Sequence, residues 1–241
     1  MTGGDSPTPA RAAAGWGGAA AVPSVGAMTT TMLPPARDRA GRRPRVSASA
    51  TYVLTGLPPA IVAFVVAVTG VAVSAGTLVI LIGVGVLALT LLAAQGFAAL
   101  ERARLDALLE ERVPRPAYAP LRPGPVGAAL SAGADPRRWL DLLHAVVAFP
   151  VAVATFSVVV GWFAAAVGGL GYVFWQWSLP DGPDDHGLAW LMGLGDSTTA
   201  EVLLVTGLGA LAAVTLPWVV RGCAAAQSGL ARAVLAADPT A

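Results

Sequence analysis

The chain has 241 residues, 56% of them hydrophobic and only 12% charged, with a mean hydropathy of +0.69. A soluble domain carries about a quarter of its residues as charged side chains, so this composition excludes an ordinary water-soluble globule. The formal net charge of +1 says nothing about partners, but every cation is an arginine and the arginines are unevenly placed.

Residues 1–48 are rich in Gly, Ala, Pro, Ser and Thr and hold Arg37, Arg39, Arg42, Arg43 and Arg45 close together. Such a segment cannot bury enough apolar surface to offset its chain entropy, and it is expected to be a disordered basic tail. Ala12–Val22 is weakly apolar and broken by Gly and Pro, so it does not read as a signal peptide. Met28 and Met32 stand as alternative initiators. No folded nucleic-acid-binding module accompanies the RDRAGRRPR run. The run reads as a juxtamembrane patch facing anionic lipid, with no nucleic-acid partner.

Apolar runs then recur at about 52–73, 77–99, 149–175 and 200–220, charged only at Glu201. About 20 such residues rise about 30 Å as a helix, enough to cross a bilayer core. In the first span Pro58 and Pro59 fall within the first two turns and are expected to bend it. Val73–Thr77 reverses the chain, so the first two spans form an antiparallel hairpin. Gly83, Gly85 and Gly96 allow close contact with the second span.

Leu100–Val113 reads as an amphipathic helix leaving the membrane, with Arg102 and Asp106 four apart where helical side chains meet. The proline-rich Val113–Pro125 is an extended linker. Asp135 is an N-cap candidate with Pro136 at the first helical position. From Leu142 to Trp177 the chain stays apolar for about 54 Å of helix, too long for one perpendicular span. A division near Pro150 is expected, with an interfacial helix leading into the third span. Gly161, Ala165 and Gly169 form a small-residue seam there, and Tyr172, Trp175 and Trp177 an aromatic belt at its exit.

The loop Ser178–Thr199 follows, and Thr198 with Glu201 matches a capping box for the fourth span. That span ends near Trp218–Val220, and a short helix runs on from Arg221 to about Leu235. Cys223 is a lone, inert small residue, which excludes an intramolecular disulfide.

The tail holds six arginines, the segment 102–138 seven, and Arg221 and Arg232 follow the last span. The two remaining loops have none and instead hold Asp181, Asp184, Asp185 and Asp196. The positive-inside rule therefore places both termini and the central segment in the cytoplasm; the membrane expected to hold the chain is the plasma membrane.

The two halves look alike. LPPAIVAF (Leu57–Phe64) aligns with FPVAVATF (Phe149–Phe156), and QGFAALERARLDALL after the second span with RGCAAAQSGLARAVL after the fourth. This is a parallel repeat, related by an axis along the membrane normal. The expected fold is an all-α membrane protein with four transmembrane helices as two repeated hairpins, cytoplasmic amphipathic helices and a disordered N-terminal tail.

These features resemble the "Putative sensor" domain found at the N-terminus of many actinobacterial two-component histidine kinases. The resemblance rests on TYVLTGLPPAIVAFVV, LLAAQGFAALERARLDALL with the proline-rich VPRPAYAPLRPG, DPRRWLDLLHAVVAFPVAVATF and PWVVRGCAAAQSGLARAVL, and covers about residues 50–237. It implies a sensory input module whose partner is a histidine kinase or another signalling protein. The phosphorylated-histidine helices and ATP-binding domain that follow in those kinases have no counterpart in the residues after Val220, so no kinase activity is expected on this chain.

Asp184, Asp185 and His186, with Asp181, are the signal-sensing candidates: carboxylates with an imidazole can take a metal or sense pH. The plainer reading is a solvated acidic turn, so no metal is expected. His144 reads as an interfacial residue beside Trp139. Glu201 reads as a cap, and Gln95 and Arg221 as helix contacts and interface anchors. Pro58, Pro59 and Pro150 are the helix-bend candidates. No Gly-x-Ser-x-Gly elbow, phosphate-binding loop with Lys or His-Glu-x-x-His occurs, so no catalytic residue and no cofactor is expected. A small transporter or lipid-handling protein is the rival reading, with Thr69, Thr90, Thr155, Ser157 and Thr206 the few polar residues available at mid-membrane. A homodimer is compatible with either.

Overall fold

The computed structural model describes residues 44–77, 82–179, 187–195 and 197–235. Four long helices carry the chain: α1 (Val46–Thr77), α2 (Ile82–Leu109), α4 (Pro136–Leu170) and α7 (Thr198–Leu235). Between them lie α3 (Pro125–Ala134), α5 (Tyr172–Trp175), a 3₁₀ turn (Gln176–Ser178) and α6 (Leu188–Leu191). Among the described residues there is no strand. Each long helix is long and apolar enough to cross a membrane. At 28 to 38 residues they measure about 42–57 Å, more than the ~30 Å hydrocarbon core. The protein is an all-α, multi-pass membrane protein.

Several boundaries differ from the sequence reading. The expected disordered tail lies outside the described residues up to residue 43, but Val46–Ala48 are already helical. Pro58 and Pro59 therefore sit mid-helix in α1 rather than in its first two turns. α1 runs on to Thr77 and α2 starts at Ile82, so the chain reverses later than Val73–Thr77. The long apolar stretch does not divide at Pro150: α4 is one helix of 35 residues with that proline inside it. A proline in a helix removes one backbone bond, here the one to the Val146 carbonyl. Within a membrane bundle such a loss is absorbed by neighbouring contacts. The exit helices are likewise not separate pieces, because α2 and α7 continue unbroken to Leu109 and Leu235.

Two antiparallel hairpins make up the bundle. In α1–α2 the Ser74 hydroxyl donates to the Gly83 carbonyl at 2.7 Å. In α4–α7 the Trp162 indole donates to Thr215 Oγ1 at 2.9 Å. Further along, the backbones of Gly169 and Gly209 touch: a Cβ on Gly169 would stand 2.6 Å from Gly209 Cα. The expected seam of Gly161, Ala165 and Gly169 is thus only one-third right. Ala165 is exposed and nothing lies within 4 Å of a Cβ on Gly161, whereas Ala152, Thr155, Val159, Ala166 and Gly169 are the buried stripe. The hairpins meet along α1 and α4, where the Phe64 and Phe149 rings stack with centroids 4.5 Å apart.

Burial reproduces the sequence repeat. On the Pro58–Pro150 register, buried Ser49, Tyr52, Val53, Ala63, Ala67 and Ser74 of α1 fall on Asp141, His144, Ala145, Thr155, Val159 and Ala166 of α4, all buried. On the Gly96–Gly222 register, buried Gly83, Ala94, Ala98, Arg102, Leu105 and Leu109 fall on buried Gly209, Val220, Ala224, Ser228, Ala231 and Leu235. Lipid tails give apolar side chains no reason to leave them, so close backbone approach must hold such helices together. The buried set is accordingly mostly Ala, Gly, Ser and Thr, while Val65, Leu89, Phe163, Leu203 and Val214 stay exposed on the outer faces.

The central segment holds one helix the sequence reading missed. α3 packs Ala129 and Ala132 against Ala88 and Val84 of α2. Ala88 lies about 21 Å along the helix from Arg102, so this part of the segment folds back beside the apolar span. At the far end of the bundle Ser197, not Thr198, caps α7, its hydroxyl accepting from the Ala200 amide at 3.2 Å. Glu201 instead accepts from the Leu188 and Ala189 amides and caps α6. Of the aromatic belt, Trp177 is exposed, whereas Tyr172 turns inward and meets Trp175 edge-on at 5.1 Å.

Candidate relay site at the arginine end

The start of α1, the end of α2, the start of α4 and the end of α7 converge, and buried polar groups concentrate there. Leaving such groups unpaired in a medium of low dielectric is costly. Glu101 on α2 is shared by two donors, the Tyr52 hydroxyl of α1 and the Arg104 guanidinium. Arg104 Nη2 also donates to the Tyr52 carbonyl at 2.7 Å and to Thr55 Oγ1 at 3.3 Å. Its guanidinium carbon lies 4.9 Å from the Tyr52 ring centroid, a cation–π distance.

Gly56 makes this approach possible. A Cβ there would stand 3.2 Å from both Arg104 Nη2 and Gln227 Oε1. Gln227 on α7, the repeat mate of Glu101, donates through Nε2 to Thr155 Oγ1 on α4. His144 on α4 is the mate of Tyr52. It is 6% exposed, its Nδ1 has no partner, and it borders a hollow of about 30 Å³ with Gly56, Glu101, Arg104 and Gln227. That volume is room for about one water, beside Glu101, Arg104, His144 and Gln227 in a lining otherwise made of Gly, Ala, Val and Leu. All four long helices therefore meet at one polar node.

A second network ties the linker to the bundle. Arg102 Nη2 pairs with Asp141 Oδ1 at 3.2 Å, the two side chains only 6% and 2% exposed. Arg102 also reaches the Leu235 carbonyl at 3.5 Å, and the Tyr118 hydroxyl donates to Asp141 Oδ2 at 2.7 Å. Asp135 caps α4 through the Arg137 amide at 3.0 Å and accepts from the Ala119 amide at 2.9 Å. The sequence pairing of Arg102 with Asp106 is thereby corrected. Arg102 lies on the buried face of α2 and is taken by Asp141, while Asp106 pairs with Arg112 in solvent at 3.3 Å.

Burial, together with the hydrogen bond to Asp141, pushes the Tyr118 phenol from its ordinary 10.0 up to about 12. A raised acid constant means folding favours the protonated phenol. The stability it lends is whole below pH 10 and is lost as the pH rises through about 12. Difference absorbance of the wild type against Tyr118→Phe should show that one phenolate appearing only near pH 12; ionisation near pH 10 would contradict the packing.

The structure brings together few of the residues singled out from sequence. Asp184, Asp185 and His186, with Asp181, lie outside the described residues. Pro58 and Pro150 occupy matching, exposed positions on α1 and α4, and Pro59 borders a hollow of about 40 Å³ with Gly56, Glu101 and His144. His144 is inside the bundle rather than interfacial, and Trp139 faces outward with its indole on the Gly133 carbonyl at 2.9 Å. Sequence reasoning missed Tyr52, Glu101, Arg104 and Gln227 as site residues, and offered Thr155 only as a polar residue at mid-membrane. The repeat held the signal, since it sets Glu101 opposite Gln227 and Tyr52 opposite His144.

A family model described as "Putative sensor" matches residues 52–235. No curated protein and no solved structure matches the chain.

Proposed function

The chain belongs to the "Putative sensor" family, and from that premise we propose that it is the membrane-embedded input module of a two-component system, resident in the plasma membrane with the arginine end in the cytoplasm. A stimulus at the opposite end or within the bilayer shifts one hairpin against the other. The shift is delivered to a kinase-type signalling partner by the last turns of α2 and α7. The chain itself carries out no catalysis.

The buried polar contacts between the hairpins are the observation that supports this reading. A hairpin displacement must part Arg102 from Asp141 and from the Leu235 carbonyl, and buried polar partners exchange between discrete arrangements rather than by gradual stretch. The output rods are already coupled: Leu109 and Leu235 share one core cluster, and Arg232 Nη1 meets Glu111 Oε2 at 3.0 Å. The mid-membrane threonines give the transporter reading little support. Thr90 and Thr155 spend their hydroxyls on the Val86 and Val151 carbonyls one turn back.

A photo-crosslinking residue at exposed Glu110 or Ala233, used in native membranes, is expected to capture a histidine kinase. The same residue at exposed Leu203 on the lipid face is expected not to. Capture that never includes a signalling protein, or that is equal from all three positions, would count against the proposal.

A further inference from the structure

The repeat is asymmetric at one place. On the two registers above, the buried pair Arg102–Asp141 of the α2–α4 interface corresponds to Ser228 and Ser49 of the α7–α1 interface. The first interface is closed by an ion pair and sealed by Tyr118 from the linker. The second has two hydroxyls in place of the ion pair and opens into a cavity of about 370 Å³. Its walls include Ser49, Ser228, Arg221, Arg232, Glu111 and Trp218. Ser49 is fully buried and its Oγ has no partner; Ser228 is 2% exposed with only a 3.5 Å contact to the Ala225 carbonyl. Arg221 Nε is buried and unpartnered as well. Arg232 is held by Glu111, the one acid among the described residues of the wall.

Two hydroxyls and an unpaired guanidinium around a hollow make a site for a phosphate oxyanion. Basic pockets between spans at a membrane's inner surface take anionic headgroups. The pocket also continues onto a lipid-facing stripe. Trp218, Val214 and Leu211 recur at helical spacing on α7 and are 63%, 62% and 60% exposed. We propose that this cavity binds the phosphate of an anionic membrane phospholipid, with Arg221, Ser49 and Ser228 on the headgroup and an acyl chain along Leu211, Val214 and Trp218. The bound lipid takes the place that Asp141 and Arg102 fill in the other half, between α1 and the output helix α7.

Native mass spectrometry of the full chain in detergent tests this, with phosphatidylglycerol, phosphatidylcholine of the same acyl chains, and inorganic phosphate as probes. The wild type should retain phosphatidylglycerol at least tenfold better than phosphatidylcholine. Arg221→Gln should abolish that preference with an unchanged thermal midpoint, and Ser49→Leu, which places an apolar side chain at the hollow, should abolish retention while the protein stays folded. Equal retention of the two lipids would overturn the proposal. So would an undiminished preference in Arg221→Gln, or in Ser49→Leu should Arg221→Gln fail to fold. Displacement of phosphatidylglycerol by millimolar inorganic phosphate would assign the site to free phosphate and overturn the lipid assignment.

Discussion

Arg102→Met is expected to destabilise the protein by about 3–5 kcal/mol, the cost of leaving one partner of a buried ion pair uncompensated. Asp141 is 2% exposed and Arg102 is its guanidinium partner at 3.2 Å. The loss reaches further than the pair, because Arg102 also touches Tyr118 and the Leu235 carbonyl. One substitution therefore loosens α2 from α4, the linker and the end of α7 together. The double change Arg102→Met with Asp141→Leu should recover most of the loss, since an apolar pair carries no desolvation penalty. Asp106→Ala, which breaks only the solvent-exposed pair with Arg112, should change little. Thermal unfolding of the detergent-purified variants reads all three. Equal effects of Arg102→Met and Asp106→Ala would show that the buried pairing is wrong.

Gly209→Val should be of comparable severity, at about 3 kcal/mol or more, the upper end for overpacking. A Cβ at position 209 would stand 2.6 Å from the Gly169 carbonyl carbon and the Leu170 nitrogen. Those atoms are backbone of α4 and cannot rotate away, so the hairpin has to open. Helix pairs in lipid hold by close packing, and a widened crossing loses its neighbours along much of its length. Gly161→Val on the partner helix α4 is the control: no atom lies within 4 Å of its Cβ, and the side chain would face lipid. It should be tolerated. If both variants unfold alike, α4 and α7 do not cross at Gly169.

The four spans were legible because a run of about 20 uncharged apolar residues has few other uses. The repeat was legible because Pro58 and Pro150, and Gly96 and Gly222, stand at matching places. What the sequence did not disclose follows from tertiary context. A proline inside an apolar run is compatible with a break or with an unbroken helix, and the neighbours of Pro150 decide for the helix. Arg102 and Asp106 obey the local rule for paired side chains on one helix, yet Arg102 faces the core and finds Asp141. α3 is too short and too rich in Ala and Gly for its face to be read from periodicity, and it becomes a helix against Ala88. The polar node was hidden for a similar reason. Tyr52, Glu101 and Gln227 look like ordinary residues at span ends until the hairpins are folded onto a common axis. The sensing candidates came from charge in a loop, whereas the structure concentrates its buried polar groups at the opposite end.

Cysteine accessibility in intact cells tests the central claim most directly, with native Cys223 first replaced by serine. Single cysteines would stand at exposed Ser178, beyond α5, and at exposed Glu110, beyond α2. A membrane-impermeant maleimide should label Ser178→Cys in intact cells and Glu110→Cys only after the cells are opened. Labelling of Glu110→Cys from outside, or of both positions alike, would contradict two hairpins that keep their arginine end in the cytoplasm.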